Sequence, residues 1–122
     1  MKRGDVVWAE FRPRSGSERR SQSERQGRRP AVVVSHDAFN SRAAWRSVLV
    51  VPVSTSPRQA RRGPTVVRVD GAIPGLAEPS VAVCHQVTTL DRSKLSAPLG
   101  SLPSGTMQEI DAALRAALDL SA

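Results

Sequence analysis

Two adjacent guanidinium groups, Arg28 and Arg29, stand directly before Pro30 and the apolar run Ala31-Val32-Val33-Val34. Proline removes one backbone donor and drives the residue before it into an extended conformation. Arg29 is therefore expected to project from a rigid strand edge. A fixed Arg fork presents two parallel N–H donors, which suits the two non-bridging oxygens of a phosphodiester. A solubilising loop end would carry the same residues, so the pair alone does not decide. His36 and His85 admit a paired acid–base reading, with one imidazole as base and the other as acid. Structural or incidental roles explain them better, and His85 is the better functional candidate of the two. Asp5, Glu10, Asp37 and Asp91 are scattered, as solvated carboxylates or partners of arginines would be. No paired-carboxylate or His/Cys spacing suggests a metal nuclease, so neither a metal nor another cofactor is expected. Cys84, the lone cysteine, lies in an apolar stretch and reads as core, and Trp8 reads as core as well.

The elements that must position these groups fit one domain over residues 1–122. No apolar run approaches the roughly 20 residues that span a bilayer. Basic residues at Lys2 and Arg3 are not followed by an apolar segment, so no signal peptide is read and a cytoplasmic protein is expected. The net charge of +7 points to a polyanionic partner: RNA, DNA, an acidic protein or anionic lipid. Lipid fits worst, because no basic amphipathic helix with bulky apolar residues is present. Lysine occurs only at Lys2 and Lys94. That arginine bias matches either bidentate phosphate contacts or a GC-rich genome.

Short strands separated by turn signals predict a small, mostly antiparallel β-barrel. Strands are read over Asp5–Phe11, Ala31–Ser35, Ser47–Val53 and Thr65–Val69, and in a run from Ser80 towards Leu90. A long basic loop over 12–29 has no apolar periodicity and is read as mobile. A second basic loop carries Arg58, Arg61 and Arg62, and Asp37 is the expected cap of a helical turn over Phe39–Trp45. Met107, Ile110, Leu114, Ala117 and Leu118 recur at helical spacing and predict one long helix over about 104–120. Either Thr106, in a capping box with Glu109, or Ser104 supplies its N-cap.

The ordered motifs resemble those of the MazF/PemK toxins. They are Lys2-Arg3-Gly4-Asp5-Val6, Gly16-Ser17-Glu18, Arg28-Arg29-Pro30-Ala31-Val32, Pro52-Val53-Ser54-Thr55-Ser56 and Gln86-Val87-Thr88-Thr89-Leu90-Asp91. The resemblance covers nearly the whole chain. It implies a mainly β fold, an SH3-like antiparallel barrel with one long C-terminal helix, in a homodimer. It implies metal-independent, sequence-selective cleavage of single-stranded RNA to 2′,3′-cyclic phosphate and 5′-hydroxyl ends. It also implies a cognate antitoxin protein as partner.

Carried over residue by residue, the resemblance makes Arg29 the catalytic arginine and puts Ser54 where the family usually has threonine. Ser keeps the hydroxyl and loses the methyl that restricts its rotamer. Thr55 supplies that hydroxyl instead if the loop shifts by one residue. Ser17 and Glu18 match the segment bordering the RNA groove, and Arg28, Ser56, His85 and Gln86 are read as RNA contacts. Thr88 stands where many members carry arginine, and the 16–27 loop is longer than in compact members. In such a cleavage the 2′-hydroxyl attacks phosphorus, so negative charge on the non-bridging oxygens must be stabilised. A guanidinium does that well and moves protons poorly at neutral pH. Two other readings remain: a CcdB-like toxin acting on a protein target, and a nucleic-acid-binding module that cuts nothing.

Overall fold

The computed structural model describes residues 1–11, 27–61 and 63–121. Its frame is an antiparallel sheet of β1 (Asp5–Glu10), β2 (Arg28–Val33), β3 (Ser47–Ser54), β4 (Val66–Arg68), β5 (Val81–Val83), β6 (Thr88–Asp91) and β7 (Gly100–Ser101). Two short helices, α1 (Asp37–Asn40) and α2 (Pro57–Ala60), sit in connections, and the long helix α3 spans Ser104–Leu118. β1, β2 and β3 lie side by side, and β3 changes partner along its other edge. Ser47–Val50 pair with β6, whereas Val53 and Ser54 pair with β5. Residues 95–101 return to the free edge of β1, through the Ala9–Leu95 bridge and the β7 pairing. The sheet thus curls into a half-barrel, as the mainly β expectation requires.

The valine runs have a direct physical cause. Val7, Ala9, Ala31, Val33, Val48 and Val50 pack inside the curl, while Val6, Val32, Val51 and Val53 face the opposite way. That second face meets Val67, Ala82, Cys84, Ile110 and Ala113, so the β4–β5 hairpin and α3 cover it. A strand buried on both faces needs apolar residues at every position, not at alternate ones. All of Ala31, Val32, Val33, Val48, Val50 and Val51 are fully buried. Cys84 is buried too, and burial pushes its thiol up to about 11.

Several expected boundaries are corrected. β2 begins at Arg28, not Ala31, because Glu10 and Ala9 pair with Arg28 and Arg29. Of the expected 12–29 loop, residues 12–26 lie outside the described ones. The run towards Leu90 is broken by a 3₁₀ turn at Cys84–Gln86, and another 3₁₀ turn, Gly63–Thr65, shortens β4. The cap of α1 is His36, whose Nδ1 accepts from the Ala38 N–H at 2.9 Å, while Asp37 is the first helical residue. Part of the second basic loop is helical, with Pro57 in the first turn of α2. Pro103 occupies the N-cap position of α3 without a side-chain bond, so neither Ser104 nor Thr106 caps it.

Arg3 and Asp5 tie the first strand to α3 and β7. Arg3 donates to Asp111 at 2.6 Å and to the Val34 carbonyl at 2.9 Å. Asp5 is buried, not solvated, and accepts from Ser101 Oγ at 2.5 Å and from the Lys2 N–H at 2.9 Å. Gly4 between them has φ 95°, a left-handed value that other residues adopt only with strain. No helix among the described residues is long and apolar enough to cross a membrane.

Candidate functional site

The register of β1 and β2 decides where the two arginines go. Pairing of Trp8 with Pro30 and Glu10 with Arg28 puts these four on one face, because residues directly opposite share a face. Arg29, opposite Ala9, belongs to the other face with Ala31. The guanidinium of Arg28 lies 5.7 Å from the centroid of Trp8, and that of Arg29 lies 5.5 Å from that of Phe11. Each cation is thus held against an aromatic ring. On β3, Ala31 pairs with Pro52. The same register continued two residues puts Ser54 across from Arg29.

A cavity of about 550 Å³ opens at this strand end and is lined by Arg28, Arg29, Ser54 and Thr55 at its polar side. Trp8, Pro30, Leu99, Ile73 and Leu76 supply an apolar wall. The segment carrying Ile73 and Leu76 is anchored by Asp70, which accepts from Arg68 at 2.7 and 3.1 Å and from the Ser80 N–H at 3.0 Å. These bonds, from Arg68 first and then from Ser80, lower the Asp70 carboxyl to about 2. Ser54 Oγ accepts from the Ser56 N–H at 3.1 Å. That bond fixes the rotamer that the missing methyl leaves loose and leaves the Ser54 O–H as a donor. Thr55 is exposed, and Ser56 begins the turn into α2 as its N-cap.

The other expected contacts lie elsewhere. His85 and Gln86 are exposed in the 3₁₀ turn against which α3 packs, and His85 Nδ1 is 2.8 Å from Thr65 Oγ1. Thr88 opens β6 opposite Val50. Ser56, His85, Gln86 and Thr88 do not line the cavity, and neither does His36. Ser17 and Glu18 lie outside the described residues. The sequence reading missed Trp8, which is 38% exposed on the cavity and not core. Its signal was the alternation with Glu10, which put both on the face opposite Val7 and Ala9. Among the described residues no three His, Cys, Asp or Glu side chains gather as metal ligands would.

Comparison with known proteins places the sequence and the fold. Residues 2–118 match the family described as PemK-like, MazF-like toxin of type II toxin–antitoxin system. The chain is 31% identical over 120 residues to endoribonuclease EndoA of Bacillus subtilis (strain 168), covering 98% of this chain and 96% of that protein. It superposes on an endoribonuclease in complex with its cognate antitoxin, from a mycobacterial species, with a TM-score of 0.71 and 26% identity, covering 100% of this chain and 98% of that one. MazF from Deinococcus radiodurans gives a TM-score of 0.69 and 27% identity, over 98% of this chain and 96% of that one. The chain therefore belongs to the PemK-like, MazF-like toxins of type II toxin–antitoxin systems, a family in which its relatives are endoribonucleases.

Proposed function

We propose that residues 1–122 form one toxin domain that cleaves single-stranded RNA at the cavity of Arg28, Arg29, Ser54 and Thr55, without a metal ion. The observation that carries the reading is a fixed guanidinium and a fixed hydroxyl lining one cavity, Arg29 ahead of Pro30 and Ser54 held by the Ser56 N–H. The ribose 2′-oxygen attacks the adjacent phosphorus, and the bond from phosphorus to the 5′-oxygen breaks. The 2′ proton is lost, the departing 5′-oxygen gains one, and a 2′,3′-cyclic phosphate remains. Arg29 donates to the non-bridging oxygens as their charge grows, which a preorganised cation does without reorganisation. Ser54 donates its O–H to the phosphate or the 2′-oxygen, and Thr55 lines the same side. Ser54 is not read as a covalent nucleophile, since no base adjoins it among the described residues. Arg28 grips the substrate backbone.

The remaining expected contacts, Ser17, Glu18, Ser56, His85, Gln86 and Thr88, act on RNA beyond the scissile nucleotide in this reading. A cognate antitoxin, a second copy of the chain and a cytoplasmic setting complete it, in line with the antitoxin-bound mycobacterial relative.

The test is incubation of the purified protein with long single-stranded RNA in EDTA. Cleavage leaving cyclic-phosphate ends is expected, and Arg29→Ala should lower the rate by about 10²–10³, the usual cost of one preorganised donor. Binding without cleavage by the wild type, or cleavage by Arg29→Ala at the wild-type rate, overturns the proposal.

A further inference from the structure

Trp8 and Arg28 border a second cavity as well as the first. It measures about 290 Å³ and is completed by Glu10, Ser93, Lys94, Leu95 and Ser96. The two cavities therefore adjoin across one exposed indole, and an arginine on the same face stands over its ring at 5.7 Å. An indole with an open face at mid-strand is held in place by its backbone. The Trp8 N–H donates to Ser96 Oγ at 2.9 Å, and the Ser96 N–H donates to the Trp8 carbonyl at 2.9 Å. Ser96 Oγ in turn donates to the Ala97 carbonyl at 2.7 Å, so this hydroxyl is already engaged. Among the described residues, the Glu10 carboxylate and the Lys94 ammonium form no ion pair, with each other or with a third group. Both are exposed.

From this arrangement we propose that the second cavity is a base-reading subsite of the RNA groove, with Trp8 as its stacking platform and Glu10 with Lys94 as its edge readers. The inference rests on the cleavage reading above and names which residues choose the cut. A strand whose phosphate lies on Arg28 has one base on each side of it. One base enters the apolar cavity, and its neighbour stacks on Trp8 and enters the polar one. Stacking on an indole is indifferent to base identity. Hydrogen bonding to base edges is not. A carboxylate only accepts and an ammonium only donates, so together they fit a base edge that sets donors beside an acceptor. Guanine fits best, because its N1–H and N2–H can donate to the two carboxylate oxygens while O6 accepts from the ammonium. Adenine, cytosine and uracil each lack that pair of adjacent donors. An acidic peptide would meet the Glu10 carboxylate along with the two cations Arg28 and Lys94, and its side chains offer no flat base to stack on Trp8.

The test has two readouts. Cut sites in a randomised single-stranded RNA pool are sequenced for wild type, Glu10→Gln and Lys94→Gln. At one position beside the cut, wild type should prefer guanine, and Glu10→Gln should reduce that preference by about 5- to 100-fold, the discrimination one good edge contact supplies. Preferences at other positions should not move. A preference profile identical in all three proteins overturns the proposal.

The second readout is independent of cleavage. In a Trp45→Phe background Trp8 is the only indole. Its emission should be quenched by a random pool of short 2′-O-methyl RNA, which lacks the attacking hydroxyl and cannot be cut. Absence of quenching, or quenching by poly-glutamate and not by the RNA, overturns the proposal. Quenching by RNA in a wild-type protein that cuts nothing upholds the subsite and removes the cleavage reading, so the two failures are distinguishable.

Discussion

Arg92 offers the sharpest test of how the fold is held. Its guanidinium donates to four backbone carbonyls: Trp45 at 2.5 Å and Phe39, Asn40 and Arg42 at 2.8 Å each. The Phe39 and Arg42 carbonyls also accept from the Arg42 N–H at 3.1 Å and the Trp45 N–H at 3.0 Å, so Arg92 adds to turns that the backbone already closes. One side chain on the 3₁₀ turn Arg92–Lys94 thus ties the 39–45 connection to the end of β6. A bond from a charged donor contributes about 1.5–3 kcal/mol net when buried. Only the Asn40 bond is partly buried, and water replaces much of the other three. Loss of the side chain in Arg92→Ala should then cost about 2–3 kcal/mol in total, and not four times the single-bond value. With a urea slope of about 1–3 kcal/mol per molar, the unfolding midpoint should fall by roughly 1–3 M.

Urea titration followed by far-UV circular dichroism measures this shift. The stacked Phe39 and Trp45 rings, 4.5 Å apart, report locally through near-UV dichroism and should lose their signal first. Arg92→Lys should recover less than half of the loss, because an ammonium cannot span carbonyls that a planar fork reaches. The connection does not line the candidate cavity, so RNA cleavage below the unfolding midpoint should be unchanged. An Arg92→Ala midpoint equal to wild type, or full recovery with lysine, refutes the reasoning.

Three further outcomes follow from the same structure. Ile110 is fully buried where α3 meets the sheet, so Ile110→Ala should cost about 2–5 kcal/mol in urea unfolding. The carboxyls of Asp5, Asp70 and Asp91 are held below their usual range. Burial pushes Asp5 up, but bonds from Ser101 and Lys2 outweigh it, whereas Arg68 lowers Asp70 and Arg46 lowers Asp91. A depressed native value means stability that is present above the unfolded value, near 4, and lost as pH falls towards 2. Acid titration should show that loss, and Asp70→Asn should flatten its slope. Cys84, buried with its thiol near about 11, should resist a thiol reagent at pH 8 until urea unfolds the protein.

Much of the frame was legible because burial writes itself into residue type. The near-continuous apolar runs of β2 and β3 match strands covered over most of both faces, and the Met107, Ile110, Leu114 spacing matches a helix. What escaped were positions where pairing overrides composition. Arg28 and Arg29 read as loop, yet β1 pairs with them, and no local propensity records a strand partner. Trp8 read as core because a large aromatic in a strand usually is, but its neighbours by alternation are Val6 and Glu10, and Glu10 marks the edge of burial. α2 carried an overlooked signal, Ser56 followed by Pro57, a helix start masked by the basic residues after it. At the site, the Arg29–Pro30 step was legible through backbone sterics. The adjoining of two cavities across Trp8 was not, since residues 93–99 reach β1 from more than eighty positions away.

That distance bears on how the protein is made. Arg3 waits for Asp111, Asp5 for Ser101, and the Trp8 backbone for Ser96. A ribosome synthesising the chain releases β1 first and must translate on through residues 95–101 before the free edge of β1 is covered. Leu99 and Ser96, which complete the walls of the two cavities, emerge in the same late stretch. The nascent polypeptide therefore has its arginines before it has a groove to hold them in, and the walls are complete only once Leu99 has been added.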